Sequence, residues 1–415
     1  MNINVQSEIG ELEAVIIHTP GKEVEDMTPQ SAERALYSDI LNLSVVSREY
    51  AQCVGVLRRT AQVYEVRELL TEVLQNELAR DRLLEKICQN EPVECIKDFL
   101  KDLPPKNLAK LLIEGVPMEK NTLTKFISGE RYSLQPLHNF FFTRDAAFIF
   151  NQQVVIARMA SQVREREALI TETIFTYHPL FRGAEISNPL IQANGNFIEG
   201  GDVLVAAKDV LLIGIGKRTN TQGVDFVVEN LKKYHSKFHV VVQELPLAPE
   251  SFIHLDMVFT LLDQNYCMIY PPVILNPSNF KTIKISVDNG NVVSISEEEN
   301  LLRVLHQLGF DYKPIFCGGE KDPWIQEREQ WHSGANFFAI SPGKVLGYGQ
   351  NVYTIEALNQ NGFDVIDAKD IISAKTNWAS VKKCVVTIDG SELSRGGGGC
   401  RCMTMPVLRK PVFDS

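Results

Sequence analysis

Residues 146–159, AAFIFNQQVVIARM, followed at 164–177 by REREALITETIFTY, decide how the chain is read. Two apolar runs flank Asn151-Gln152-Gln153, the pattern of two buried strands joined by a short turn, and the second segment has the look of a helix. The unit is apolar strand, turn, apolar strand, helix, strand. It recurs in 202–216 (DVLVAAKDVLLIGIG) with 222–234 (QGVDFVVENLKKY) and 238–245 (FHVVVQEL). Further copies are read in 257–275 (MVFTLLDQNYCMIYPPVIL) with 297–309 (EEENLLRVLHQLG), and in 336–349 (NFFAISPGKVLGYG) with 354–362 (TIEALNQNG) and 363–367 (FDVID). A repeated unit of this size predicts a ring of similar modules, with an ordinary α/β sandwich as the alternative.

Working outward, Glu13–His18 (EAVIIH) is an apolar, β-branched run closed by Thr19-Pro20-Gly21, a buried strand followed by a turn. The segment 402–409 (CMTMPVLR) resembles a strand with no neighbour in sequence, so pairing the two ends would close the ring. From about Val66 to Arg131 the character changes. Leucines at helical spacing run through 67–87, 95–103 and 107–116, separated by Pro92 and Pro104-Pro105. We expect an α/β domain carrying the active site over 1–65 and 132–415, with an α-helical subdomain inserted at 66–131.

The chain has 415 residues, is 44% hydrophobic and can bury a large core. Its formal charge of −10 is spread along the sequence without the basic clusters a phosphate backbone requires, so no nucleic acid partner is expected. No apolar run approaches the ~20 residues of a membrane helix, and the N-terminus lacks the order of a signal peptide. A cytoplasmic protein with no membrane partner is expected. Cys53, Cys88, Cys95, Cys267, Cys317, Cys384, Cys400 and Cys402 lack framework spacing, which favours free thiols.

The stretch 394–406, SRGGGGCRCMTMP, carries the sharpest chemical signal. Consecutive glycines let a loop approach a ligand closely, so Cys402 sits where a nucleophile could be presented. A glycine linker ending in buried cysteines, or a metal site using Cys400 and Cys402, are the alternatives; the spacing of the pair argues against zinc. A thiol nucleophile needs a proton shuttle, and His254 in IHLD is the candidate. Asp256, two residues on, would share its face of a strand. Two further acidic motifs occupy corresponding places in other modules: NFFFTRD ending at Asp145, and EGGD from Glu199 to Asp202. Taken singly each reads as a turn or surface acid. Together, two aspartates and a glutamate describe a pocket for a planar guanidinium, which carboxylates grip through paired N–H bonds.

At these residues the sequence resembles the arginine deiminases of the guanidine-modifying superfamily, and the match runs from end to end. It is carried by SEIGELEAVIIHTPGKEVEDMTP (7–29), FTRD (142–145), EGGD (199–202), GIGKRT (214–219), HLDMVFTLLD (254–263), EREQWHSGANFFAISPG (327–343) and CMTMP (402–406). The resemblance implies a pentein fold, a five-bladed α/β propeller with pseudo-fivefold symmetry and an inserted helical subdomain. It also implies hydrolysis of L-arginine to L-citrulline and ammonia, with no metal or organic cofactor and a homo-oligomer (dimer or tetramer). By position Cys402 would be the nucleophile and His254 the general acid and base. Glu199 would orient His254, and Asp145 and Asp256 would hold the guanidinium. Phe142 would lie against its plane, and Asn139, Arg166 and Arg218 would recognise the amino-acid carboxylate. Gly397 departs from the arginine that many members carry five residues before the nucleophile, which bears on gating and affinity. Cys400 stands where proline or alanine is common. An amidinotransferase, a citrulline hydrolase or a non-catalytic arginine-binding protein are the rival readings.

Overall fold

Strands buried on both faces need apolar residues at consecutive positions rather than alternate ones, which is why the runs above read as unbroken hydrophobic stretches. In Ala147–Phe150, Gln153–Ile156 and Val203–Ala207 every residue is buried. The computed structural model describes residues 1–34, 39–91, 93, 96–188, 195–275 and 279–413. Pro92 and Cys95 lie outside the described residues; Cys53, Cys267, Cys317, Cys384, Cys400 and Cys402 are free thiols.

Among the described residues, five sheets share one order: a first strand antiparallel to a second, and the second parallel to a third. The first sheet is Ala147–Phe150, Gln153–Ile156 and Glu185–Ser187. The second is Val203–Ala207, Val210–Ile215 and Phe238–Glu244. The third is Phe259–Leu261, Tyr266–Ile269 and Lys313–Phe316, and the fourth is Phe338–Ser341, Lys344–Tyr348 and Cys384–Ile388. The fifth joins the chain ends, as expected: Met405–Arg409 runs antiparallel to Leu12–Ile17, which runs parallel to Gln62–Glu65.

Two details differ from the sequence reading. FDVID is not the third strand of its unit, because Cys384–Ile388 takes that place and Asp364–Asp367 is displaced to the sheet edge. The second sheet also gains a hairpin, Thr282–Asp288 and Asn291–Glu298, from a distant part of the chain. Asn289 and Gly290 form its tip with φ of 50° and 71°, the left-handed pair that a tight hairpin turn requires.

The segment read as helical contains Val66–Val73, Glu77–Asn90, Lys97–Lys101 and Pro105–Glu114, and the short ladder Val116–Pro117 with Tyr132–Leu134 closes it. Its first two helices pack on Glu165–Tyr177 of the first unit. Leu69, Leu70, Leu84 and Ile87 thereby join Phe148, Ile149, Ile170 and Ile174 in one core. That helix is covered on both faces, so even Arg166 and Glu167 are buried.

The N-terminal strand ends in a buried ionic cluster. His18 meets Glu23 at 3.0 Å and Glu65 at 3.1 Å, tying the strand to the turn after it and to its parallel neighbour. Burial alone would depress the imidazolium, but the hydrogen bonds and charges of Glu23 and Glu65 outweigh it and raise His18 to about 9. A group raised in the folded state contributes stability that is complete below its unfolded value of 6.5 and is lost as pH rises through about 9. The shift corresponds to something on the order of 3 kcal/mol. Thermal denaturation of wild type and His18→Gln from pH 6 to 10 should therefore show a stability gap that narrows above pH 7. A gap independent of pH contradicts the assignment.

Candidate active site

Four of the five sheets are entered through a segment that carries one of the expected functional side chains. The turn Thr143–Ala146 brings Asp145 into the strand starting at Ala147, and Gly200–Asp202, preceded by Glu199, leads into Val203. The turn Leu255–Met257, preceded by His254, stands just before Phe259. Cys402 lies three residues before the strand starting at Met405. His254 and Asp256 were expected to share a strand face. They do not, because His254 is extended (φ −141°, ψ 164°) and Asp256 belongs to a single tight turn. The turn sends the carboxylate toward Cys402 and the imidazole toward Glu199.

These segments meet at a cavity of about 330 Å³ whose wall includes Cys402, His254, Asp145, Asn139, Phe142 and Arg218. Glu199 and Asp256 lie directly beneath, each 0% exposed. His254 Nε2 pairs with Glu199 Oε2 at 2.9 Å, and Nδ1 lies 3.6 Å from Asp145 Oδ1. The thiol lies 3.6 Å from Asp256 Oδ2. Glycine is needed where these parts touch: a Cβ on Gly201 would stand 2.4 Å from His254 Nδ1, and one on Gly398 would stand 2.6 Å from the Phe142 ring. The glycine run therefore lets the thiol loop settle on that ring.

Charge is balanced inside the site by arginines. Burial tends to raise Glu199, but Arg218, the His254 hydrogen bond and Arg164 outweigh it and hold it at about 2. Burial likewise disfavours the His254 cation, yet Asp145, Glu199 and Asp202 raise it to about 9, so the ring is protonated at neutral pH. Burial, reinforced by Asp256 and Asp145, pushes the Cys402 thiol well above its ordinary value. Among the cavity-lining residues Asp145 Oδ1, Arg218 Nη1 and Ser251 Oγ are buried without a hydrogen-bond partner, the first two of opposite charge. An unmet acceptor and an unmet donor in one cavity suit a ligand with a cationic and an anionic end.

One expected residue is placed elsewhere. Arg166 lies outside this cavity wall and points into the interface with the helical segment, 3.3 Å from Glu91 and hydrogen-bonded to the Gln135 carbonyl. Arg164 lines the cavity instead, bonded to Asp145 at 2.8 Å and to Glu167 at 2.8 Å. Two residues along a helix turn a side chain by roughly 200°, so Arg164 and Arg166 face opposite ways. Gly397 has φ of 81° with open space at its Cβ position, and Arg395 lines the cavity, ion-paired to Asp39 and Glu392.

Sequence reasoning also passed over Arg401 and Asn336. Arg401 binds Asp256 at 2.8 Å and Glu8 through two 3.0 Å bonds; Asn336 contacts the Cys402 sulfur at 3.2 Å. The available signals were an arginine adjoining the thiol and the polar member of HSGAN. Donor atoms of Asp145, Glu199 and His254 lie within 4.8 Å of one another. Arg164 and Arg218 sit on the same carboxylates, so this donor set is matched to guanidinium partners rather than to a metal ion.

The family profile described as arginine deiminase matches residues 33–409. An arginine deiminase of Listeria monocytogenes is 32% identical over 428 residues, covering 98% of both chains. One of Oenococcus oeni is 29% identical over 426 residues, covering 99% of this chain and 98% of its own. Among solved structures, a dimethylarginine dimethylaminohydrolase adduct with S-methyl-L-thiocitrulline has a TM-score of 0.52 at 14% identity, covering 96% of this chain and 100% of that one. The product-bound N-terminal domain of ArgZ, a cyanobacterial arginine dihydrolase, has a TM-score of 0.53 at 14% identity, covering 96% and 98%. These two likenesses establish the mixed α/β fold.

The His254 environment gives a direct measurement. In an NMR titration the imidazole should ionise near pH 9, and Glu199→Gln or Asp145→Asn should move that ionisation down by roughly a unit or more. An ionisation near 6.5 in wild type, unmoved by either change, contradicts the arrangement.

Proposed function

The chain belongs to the arginine deiminase family, a hydrolase acting on the amidine C–N bond of L-arginine to give L-citrulline and ammonia, and we propose that the cavity around Cys402 performs this reaction. The observation that carries the reading is the pair of unmet groups, Asp145 Oδ1 and Arg218 Nη1, in a cavity shared with Cys402 and His254. The guanidinium binds beside Asp145 and Asp256 against the face of Phe142. Arg218 and Asn139 receive the substrate carboxylate. Arg164, surrounded by Glu167, Asp145 and Glu199, is a positioning residue that fixes the Asp145 carboxylate.

As the cationic guanidinium settles, Cys402 gives up its proton to solvent and the thiolate attacks the guanidinium carbon; the C–N bond breaks as protonated His254 donates to the departing nitrogen, and the ammonia released takes up a proton from solvent. The neutral imidazole then takes a proton from water, whose oxygen adds to the thiouronium carbon. Breaking the C–S bond returns the thiol and leaves the ureido group of citrulline. Glu199, fixed at 2.9 Å from Nε2, holds the ring through both half-reactions. Paired carboxylates serve a cationic guanidinium and not a neutral ureido group, which favours arginine over citrulline as substrate.

At the level of the fold, we propose that the five like-ordered sheets form the blades of a pseudo-fivefold propeller, closed by the pairing of the chain ends, with residues 66–131 as an inserted helical subdomain. The support is the shared strand order and the way each sheet's leading segment faces one cavity.

Cys402→Ser should lower ammonia release by roughly 10³-fold or more while arginine binding by calorimetry persists; normal turnover overturns the nucleophile. Arg218→Ala should raise KM for arginine about tenfold or more and that for agmatine, which has no carboxylate, far less. Equal losses on both substrates would place the carboxylate elsewhere.

A further inference from the structure

The reading of Cys402 as nucleophile leaves one sheet without a part in the chemistry. The segments leading into four first strands supply Asp145, Glu199, His254 with Asp256, and Cys402. The segment leading into the fourth sheet, just before Phe338, supplies Asn336. We propose that Asn336 is a further catalytic residue, whose side-chain amide donates a hydrogen bond to the Cys402 sulfur and holds it as a thiolate; the proposal rests on the nucleophilic role of that cysteine.

The orientation of the amide is fixed by its other bonds. Asn336 Oδ1 accepts the backbone N–H of Arg401 at 2.9 Å, so Nδ2 must face the sulfur, 3.2 Å away. The same Nδ2 donates to the Asp256 carbonyl at 3.1 Å, which only an N–H group can do. Asn336 is buried, and the loop that carries the nucleophile is fitted to it. A Cβ on Gly399 would lie 2.5 Å from Asn336 Oδ1, so the last glycine of the run leaves room for the amide.

Sulfur in this site needs neutral donors. Its nearest charged neighbours include Asp256, with carboxylate oxygens at 3.6 and 3.9 Å, and a negative charge on sulfur is repelled by them. A lysine or arginine aimed at the sulfur would offset that repulsion but would also occupy the place of the cationic substrate. An amide N–H stabilises the thiolate without that competition, much as backbone donors stabilise an oxyanion. The bond is available at attack and again when the thiolate departs from the tetrahedral species.

The test follows iodoacetamide alkylation of Cys402 against pH, read at that residue by peptide mass spectrometry, alongside steady-state kinetics. Asn336→Ala removes the amide. Asn336→Asp keeps the shape and the acceptor for the Arg401 amide, and so keeps the fold, while replacing the donor by a carboxylate oxygen. Both should displace the alkylation profile to higher pH, lowering the rate near neutrality about tenfold, and more for the aspartate. kcat should fall by roughly 10²-fold with KM for arginine little changed. Profiles that coincide with wild type in both variants, whatever happens to kcat or thermal stability, overturn the proposal. Cys402→Ser separates the two readings: turnover retained there ends the nucleophile, while the alkylation profile reports on Asn336 independently.

Discussion

The centre of this protein depends on the guanidinium of Arg401, one residue before the nucleophile. It is fully buried, and each of its N–H groups has a specific acceptor: Glu8 through Nε and Nη2, Asp256 and the Gly201 carbonyl through Nη1, and the Val203 carbonyl through Nη2. A buried cation with even one unmet donor would cost several kcal/mol. Here the contacts reach the N-terminal segment, the second sheet and the third sheet from the lead-in to the fifth. The same carboxylate that neutralises Arg401 lies against the thiol, so the interaction that locks the sheets together also sets the charge around the sulfur.

From that constraint the rest of the electrostatics follows. Asp145 has Oδ2 bound by Arg164 at 2.8 Å and Oδ1 turned toward His254, whereas Asp256 Oδ2 both accepts from Arg401 at 2.8 Å and lies 3.6 Å from the thiol. Each of these acids thus has an internal arginine as its counter-charge where solvent is absent. His254 is protonated because acids surround it, whereas Asp202, behind the ring, is pushed by burial up to about 7. Asp202 accepts the Leu255 backbone N–H at 2.9 Å and so anchors the turn that carries His254 and Asp256. The EGGD motif thus has a working end in Glu199 and a structural end in Asp202.

The strand pairs were legible because each is a run of apolar residues broken by a two- or three-residue turn, a signal that survives without tertiary information. The proposed catalytic residues were legible by chemical type: a thiol after a glycine run, a histidine two residues before an aspartate, and acids just ahead of strands. What could not be read was direction. Arg164 and Arg166 are both arginines at the start of one helix, and only the helical segment covering its far face decides which reaches the cavity. The hairpin 282–298 joins a sheet whose other strands lie earlier in the chain, and FDVID is displaced by a strand some twenty residues later; no local pattern encodes such choices. Arg401 and Asn336 were hidden for a related reason, since their importance lies in partners hundreds or tens of residues away.

The substrate's charge completes the site. Without it, Cys402 is buried among acids that disfavour a thiolate, and His254 already carries its proton. A neutral ligand would leave both facts unchanged. A guanidinium placed between Asp145 and Asp256 compensates the carboxylates from the sulfur's own side, so the thiol can ionise where the electrophilic carbon arrives. On the proposed reading of Cys402 as nucleophile, its thiol ionises more readily once the cation is in place, and selectivity for guanidinium over ureido groups arises from activation as well as from binding. Neutral donors at the sulfur fit this logic. They lower the energy of the thiolate without supplying the positive charge that the substrate must bring.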